Sequence, residues 1–280
     1  MEQSMSNAER SPSLAILIDA DNTSARYAHA IFEEIAKLGE ANVRRIYGDF
    51  SGTRLGGWDK AIQSLAILQH QQRNNTTGKN AADIALVIDA MDLLHKGKLD
   101  GFCLISSDSD FTRLAQRLRE DDLKVYGFGE RKTPEAFRSA CNQFIYVDNL
   151  IEVGVEATIP KKAGGAAESV STSKAASGPK AKRKADPKIQ KGTDPESKKE
   201  PAYRAVPTIL KAMVGIEDDD GWAHLSRIGS QIAIIAPDFD PRSYGHAKLG
   251  DLIEASGGFD VKSGTGTARL IRPRRVTIPE

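Results

Sequence analysis

The side chains of this sequence best suited to chemistry are aspartates that come in pairs. Asp19 and Asp21 close the apolar run Leu14–Ile18, in Ile18-Asp19-Ala20-Asp21-Asn22. Asp108 and Asp110 follow the apolar run Phe102–Ile105, in Ser106-Ser107-Asp108-Ser109-Asp110-Phe111. Crowded carboxylates repel one another unless a cation lies between them. Magnesium takes such oxygen ligands and keeps several waters, and a divalent ion that clamps phosphoryl oxygens and activates water is the core of a phosphodiester-hydrolysing site. An aspartate ahead of a helix also serves as an N-cap, and one pair alone would be read that way. Two pairs, each closing an apolar run, point to a metal site. Lys79, Asn80 and Asp83 open a helical stretch that runs to His95. Their spacing puts all three on one face, so Asp83 adds a carboxylate and Lys79 a cation for a phosphate, unless the two form a solvated ion pair. Asp89 lies six residues beyond Asp83, about 120° round the helix, and is read as structural support.

The elements that must position these acids alternate between strand and helix. Strands are expected at Leu14–Ile18, Val43–Tyr47, Ile67–Gln69, Phe102–Ile105, Val125–Phe128 and Phe144–Val147. Between them, Ala28, Ile31, Phe32, Ile35 and Leu38 repeat at helical spacing behind a cap at Thr23 or Ser24, with Gly39 just past the end. Further helices are expected over Trp58–Ala66, over Asn80–His95 with Ile84, Val87, Ile88, Met91 and Leu94 on one stripe, and over Phe111–Leu118 and Pro134–Cys141. Such alternation implies a parallel sheet sandwiched by helices, an α/β fold. Ligands bind such sheets outside the carboxyl ends of the strands, where both acid pairs fall.

The three motifs Leu-Ile-Asp19-Ala-Asp21-Asn22, Lys79-Asn80-Ala-Ala-Asp83-Ile and Ile-Ser106-Ser-Asp108-Ser-Asp110-Phe111 together resemble those of NYN domains, which are PIN-like nucleases. The resemblance covers about residues 12–150. It implies that Asp19, Asp83, Asp108 and Asp110 surround Mg2+ or Mn2+ and support RNA hydrolysis, with Asn22 and Lys79 as RNA contacts. Water would attack phosphorus and leave a 5′-phosphate and a 3′-hydroxyl. Asp19-Ala-Asp21-Asn-Thr23 also fits the nucleophile motif of haloacid-dehalogenase-like phosphatases, with Asp19 phosphorylated, Asp21 as acid/base and Ser106 on phosphate. That family needs a lysine and then an acidic pair later in the chain; here Lys79 precedes the Ser106 strand, and Asp108 and Asp110 follow it at once.

Charge divides the remainder of the chain. Residues 1–160 hold 18 Lys and Arg against 23 Asp and Glu, a net of −5, whereas residues 161–204 hold 12 against 5, a net of +7. The stretch between Lys161 and Lys199 has only Val170 and Ile189 as large aliphatic residues, too little apolar surface to offset its ordering entropy. Residues 151–202 are therefore expected to be a disordered basic linker, whose block Lys180, Lys182, Arg183 and Lys184 either keeps the chain soluble or touches nucleic acid phosphates. Beyond it, helices are expected at Tyr203–Met213, Trp222–Ile235 and Ser243–Ala255. A hairpin is expected around Gly264 and Gly266, giving a small winged-helix-like domain. Trp222-Ala-His-Leu225-Ser-Arg-Ile228-Gly229 with Phe239-Asp240-Pro241-Arg242-Ser-Tyr244-Gly245 resembles the OST-HTH (LOTUS) domain, over residues 203–275 at most. The resemblance implies RNA or a protein partner such as an RNA helicase, and makes Arg242, Tyr244, His246 and Lys248 RNA contacts; Tyr244 serves equally well as a core residue. Arg269, Arg272, Arg274 and Arg275 add positive charge to a domain that is otherwise slightly acidic.

Composition excludes several classes. No apolar run approaches the roughly 20 residues of a membrane helix, and the polar stretch Met1–Ser13 is no signal peptide. Cys103 and Cys141 are the only cysteines; both sit in apolar stretches and read as core residues of a cytoplasmic protein. Two function classes remain: a metal-dependent ribonuclease whose linker and C-terminal module deliver RNA, and a noncatalytic RNA-binding or scaffold protein retaining the nuclease fold.

Overall fold

The computed structural model describes residues 10–72, 80–155, 199–218, 220–263 and 268–274. Six strands, β1 (Ser13–Asp19), β2 (Glu40–Gly48), β3 (Leu68–Gln71), β4 (Gly101–Ile105), β5 (Lys124–Gly129) and β6 (Gln143–Tyr146), form one sheet in the order β3-β2-β1-β4-β5-β6. Every neighbouring pair is parallel. The chain starts in the middle of the sheet, builds one side, then returns to build the other. The strand order therefore reverses between β1 and β4, where open α/β sheets bind their ligands. The pairing Ile18↔Ile105 brings the carboxyl ends of these two strands level.

Both central strands are buried along their whole length, as a sheet covered on two faces requires. Leu14, Ile16 and Ile18 enter one core with Ile31, Trp58, Cys103 and Ile105. Ala15 and Leu17 enter the other with Leu86, Phe102, Leu104 and Phe111. Each buried Leu, Ile or Phe contributes about 1.5–3 kcal/mol relative to exposure, so the strand ends carrying the acids rest on the most stable part of the domain. Cys103 and Cys141 are buried and free, as read from the sequence, and burial pushes the Cys141 thiol up to about 12.

Helices α1 (Ala28–Ile35), α2 (Asp59–Ser64), α3 (Ala81–His95), α4 (Thr112–Glu120), α5 (Glu135–Ala140) and α6 (Asp148–Val155) flank the sheet. Three details differ from the sequence reading. A 3-10 turn, Ala25–Tyr27, precedes α1, and Ser24 makes no side-chain cap; the Thr23 hydroxyl instead donates to the Ile105 carbonyl, tying the loop after β1 to the end of β4. On α3 the buried stripe is Ala82, Leu86, Ala90 and Leu93, while Ile84 and Ile88 are 60% and 58% exposed. Val87, Met91 and Leu94 of the expected stripe pack partly buried against the same core, so Ile84 and Ile88 are the members that face away. Helix α6 also carries regular structure to Val155, into the first residues of the expected linker. Residues 156–198, most of the expected linker, lie outside the described residues, as do Lys79 and Arg275.

The second domain holds α7 (Val206–Met213), β7 (Ala223–His224), α8 (Leu225–Ile235), α9 (Leu249–Ser256), β8 (Phe259–Ser263) and β9 (Arg269–Pro273). The expected hairpin forms, with β8 and β9 antiparallel and β7 on the free side of β9. The single helix expected from Ser243 is split into a 3-10 turn, Pro241–Tyr244, and α9. Gly245 sits between them at φ +84°, a conformation glycine adopts without steric cost.

The two domains touch through polar groups. The Phe144 amide of edge strand β6 donates to the Pro237 carbonyl at 2.8 Å. Arg138 and the Tyr146 hydroxyl both donate to Asp238, and the Asn149 amide donates to Asp240 at 3.1 Å and Ser243 at 3.0 Å. Arg242 bridges its own Asp240 and Glu34 of α1.

Candidate functional site

The acids meet at the switch point. Asp19, the last residue of β1, is 1% exposed. Its Oδ1 accepts from the backbone amides of Asp21 and Asn22 at 3.1 and 3.2 Å. Its Oδ2 accepts from the Asn22 side chain at 2.8 Å and the Ser106 hydroxyl at 2.7 Å. A carboxylate offers about four acceptor positions, and all are used. Burial pushes the Asp19 carboxyl above its ordinary range, and the Ser106 and Asn22 bonds only partly offset it. Ser106 also accepts from the Asp108 amide at 3.0 Å, so one buried hydroxyl joins the end of β1 to the loop after β4. The absence of a side chain at Gly129 makes this approach feasible: a Cβ there would sit 2.7 Å from the Ser106 carbonyl oxygen.

Asp108 does cap its helical turn, with Oδ1 accepting from the Asp110 amide at 2.9 Å. Asp110 accepts from the Asn80 side chain at 3.3 Å. Asp83, in the first turn of α3, makes no hydrogen bond to another described residue. Burial, and then the charges of Asp19, Asp108, Asp21 and Asp110, push its carboxyl up to about 6. The helix thus delivers a fifth carboxylate into the field of the two strand-end pairs. Asp89 is turned elsewhere: Arg45 and the Tyr47 hydroxyl donate to it, which outweighs burial and holds it below the usual carboxylate range.

Among the described residues, no three His, Cys, Asp or Glu side chains are gathered into a metal-ion cage. The donor set is nevertheless carboxylate oxygen alone, and Asp83 carries unrelieved repulsion. This fits a hard divalent cation that brings its own waters. Asp83, Asp108 and Asp110 have acceptor positions left for it; Asp19 gains one only if the Asn22 amide or the Ser106 hydroxyl turns away.

A cleft of about 420 Å3 opens beside the acids, lined by Asp21, Asn22, Arg54, Trp58, Glu130 and Lys132 among others. Arg54 pairs with Asp21, and Lys132 with Glu130 at 2.9 Å. The sequence reading missed Ser106 as the link between strands and Lys132 as a cation of the cleft. A serine directly after an apolar strand reads as a turn residue, and Lys132 lies in a loop far from any motif.

The remaining expected contacts scatter. Asn22 is spent on Asp19. Arg242 belongs to the interdomain joint, half-buried between Asp240 and Glu34. Tyr244 packs on Phe239, with ring centroids 5.6 Å apart, against the core of the second domain. Lys248 is exposed at the N-cap of α9. On the wing, Lys262 and Arg272 lie 4.1 and 4.5 Å from the Trp222 ring, while Arg269 pairs with Glu254 and Arg274 with Asp260. No described helix is long and apolar enough to cross a membrane.

Comparison with known families gives two matches. The family described as NYN domain matches residues 13–151, and the OST-HTH/LOTUS domain family matches residues 203–271. No curated protein matches the chain. A crystal structure of a protein of unknown function from Vibrio parahaemolyticus is 18% identical, with TM-score 0.43, over 50% of this chain and 96% of the other. A solution NMR structure of an uncharacterized protein from Nitrosomonas europaea is 27% identical, with TM-score 0.26, over 36% of this chain and 98% of the other.

Proposed function

Because the chain joins an NYN domain to an OST-HTH/LOTUS domain, we propose that it is a divalent-metal-dependent ribonuclease whose second domain engages RNA. The observation that carries this reading is the gathering of four strand-end carboxylates around Asp83 at the start of α3, where burial first and then their charges push the Asp83 carboxyl up to about 6. Asp83, Asp108 and Asp110 would hold Mg2+ or Mn2+, with Asp19 contributing charge and, once released by Asn22, an oxygen. When bound, the cation neutralises the carboxylates, polarises a phosphoryl oxygen and acidifies water.

The chain's own groups do the positioning. Ser106 and Asn22 fix Asp19, Asn80 orients Asp110, and Ser106 holds Asp108 through its amide. Arg54 and Lys132, which line the cleft with Asp21, would turn from Asp21 and Glu130 to phosphates flanking the scissile one. Water adds to phosphorus, the bond to the 3′-oxygen breaks, and the products carry a 5′-phosphate and a 3′-hydroxyl. Polyanion affinity falls mainly to the second domain and residues 161–204, since residues 1–160 are net acidic. An RNA-processing protein such as a helicase is a further candidate partner for the second domain, and the cytoplasm the candidate location.

The test is incubation of labelled single-stranded RNA with the full chain and with Asp19→Asn, in Mg2+, Mn2+ or chelator. Metal-dependent cleavage lost in the variant is expected. The filled acceptor positions of Asp19 favour a second reading, a noncatalytic RNA-binding protein on the same fold. RNA binding without cleavage in any metal would select it.

A further inference from the structure

An apolar groove runs directly beside the acids. Ile84 and Ile88 lie one turn apart on α3 and are both more than half exposed. With Val87 they line an open groove of about 230 Å3 whose lining also includes Asn80, Asp83, Asp110 and Phe111. Isolated exposed aliphatics are ordinary. Here, however, two large ones line a concave surface that shares Asp83 and Asp110 with the acid cluster.

We propose that this groove is a nucleobase subsite, holding the base next to the phosphodiester at the acids; the inference rests on the reading of RNA as substrate. Continuity with the acid cluster is the first argument: a phosphodiester held there has a nucleoside on either side, and the groove opens from the same two aspartates. Charge is the second. The carboxylates on the rim exclude phosphate from the groove, so the part of a nucleotide that enters it is the neutral base. Chemistry is the third. Aliphatic walls pack on the apolar face of any base, while Asp83, Asp110 and the Asn80 amide offer acceptors and a donor to its edge. A second copy of the chain fits less well. A stable dimer buries about 800 Å2 per partner, which two isoleucines do not supply, and the acids would meet a net acidic domain.

The experiment uses the full chain carrying Asp19→Asn, so that the RNA survives, with Mn2+ present. Fluorescence anisotropy reads binding of a short labelled RNA and of the same RNA with one abasic nucleotide, walked along the strand. The double substitution Ile84→Ser with Ile88→Ser changes only exposed positions, and circular dichroism confirms the fold. At one strand position, the double variant and the abasic RNA should each weaken binding about fivefold, an effect of about 1 kcal/mol. Combining them should add nothing. Additive losses at every position, or no loss, would overturn the subsite. So would a wild-type dimer by sedimentation that the double variant converts to monomer. Cleavage by the wild type is scored separately: coupling without cleavage keeps the subsite and removes the hydrolase reading, and cleavage without coupling does the reverse.

Discussion

At the residue scale, the Ser106 hydroxyl, the Asn22 side chain and the backbone amides of Asp21 and Asn22 together hold the buried Asp19 carboxylate. Ser106 donates to Asp19 and accepts from the Asp108 amide. Ser106→Ala removes one of the two donors to the buried Asp19 Oδ2 and leaves the Asp108 amide without its acceptor, which costs about 1–2 kcal/mol. Urea unfolding should show that loss, and RNA cleavage should fall with it; a variant as stable as wild type would remove Ser106 from its linking role. Asp83 behaves in the opposite sense. Its carboxyl is raised to about 6 in the folded protein and titrates near 3.8 when unfolded. Its charge therefore destabilises the metal-free fold above pH 6, and the penalty disappears as pH falls through 6 towards 3.8. Asp83→Asn should raise the metal-free Tm at pH 7 and leave it unchanged at pH 3.5. A Tm lowered at pH 7 would mean that Asp83 has a stabilising partner. The acids themselves were legible in the sequence because each pair closes an apolar run. Ser106 was not, since a hydroxyl that crosses between strands leaves no periodic trace. The aspartates at 19 and 108 were read as metal ligands or as caps; Asp108 in fact caps its turn while lying within the acid cluster.

At the scale of elements, α3 shows where periodicity misleads. Ile84, Val87, Ile88, Met91 and Leu94 make a convincing helical stripe by hydrophobicity alone. The sheet receives Ala82, Leu86, Ala90 and Leu93, with Val87, Met91 and Leu94 packed partly buried beside them, so the buried face is rotated from the expected one and only Ile84 and Ile88 are left exposed. The helix is also clamped by Asp89, which accepts from Arg45 and Tyr47 of β2. Asp89→Ala strips both donors of their acceptor in a largely buried place and should cost about 3 kcal/mol. Asp92→Ala, exposed one turn on, should stay within about 0.5 kcal/mol of wild type. Equal effects in thermal unfolding would contradict the clamp. Strands β1, β4, β5 and β6 were read within a residue at each end, because buried parallel strands are continuous apolar runs bounded by polar turns; β2 begins three residues before the expected Val43 and β3 ends two past the expected Gln69, because both are largely exposed where the reading failed. The helix expected from Ser243 was not, because Gly245 at positive φ breaks it and a lone glycine is tolerated in many helices.

At the scale of the whole molecule, the second domain covers an edge that the first leaves open. Strand β6 ends the sheet, and an uncovered edge invites pairing with other chains. The Pro237 carbonyl takes the Phe144 amide, and Asp238, Asp240 and Arg242 take Arg138, Asn149 and Glu34. No sequence pattern announces such a joint, since its members are ordinary surface residues in both domains; Arg242 was accordingly read as an RNA contact. A chain ending at Val155 should unfold at lower temperature than the intact protein and aggregate more readily. Truncation without change in Tm would show that the domains are thermally independent. The central claim is that the acids at the switch point hydrolyse RNA. Its most direct measurement is the end chemistry of product RNA made in 18O-labelled water, with Mn2+, by the full chain and by Asp108→Asn. The account predicts 5′-phosphate ends carrying one 18O and 3′-hydroxyl ends from the wild type, and none from the variant. Unlabelled 2′,3′-cyclic phosphate ends, or labelled ends made equally by Asp108→Asn, would contradict it.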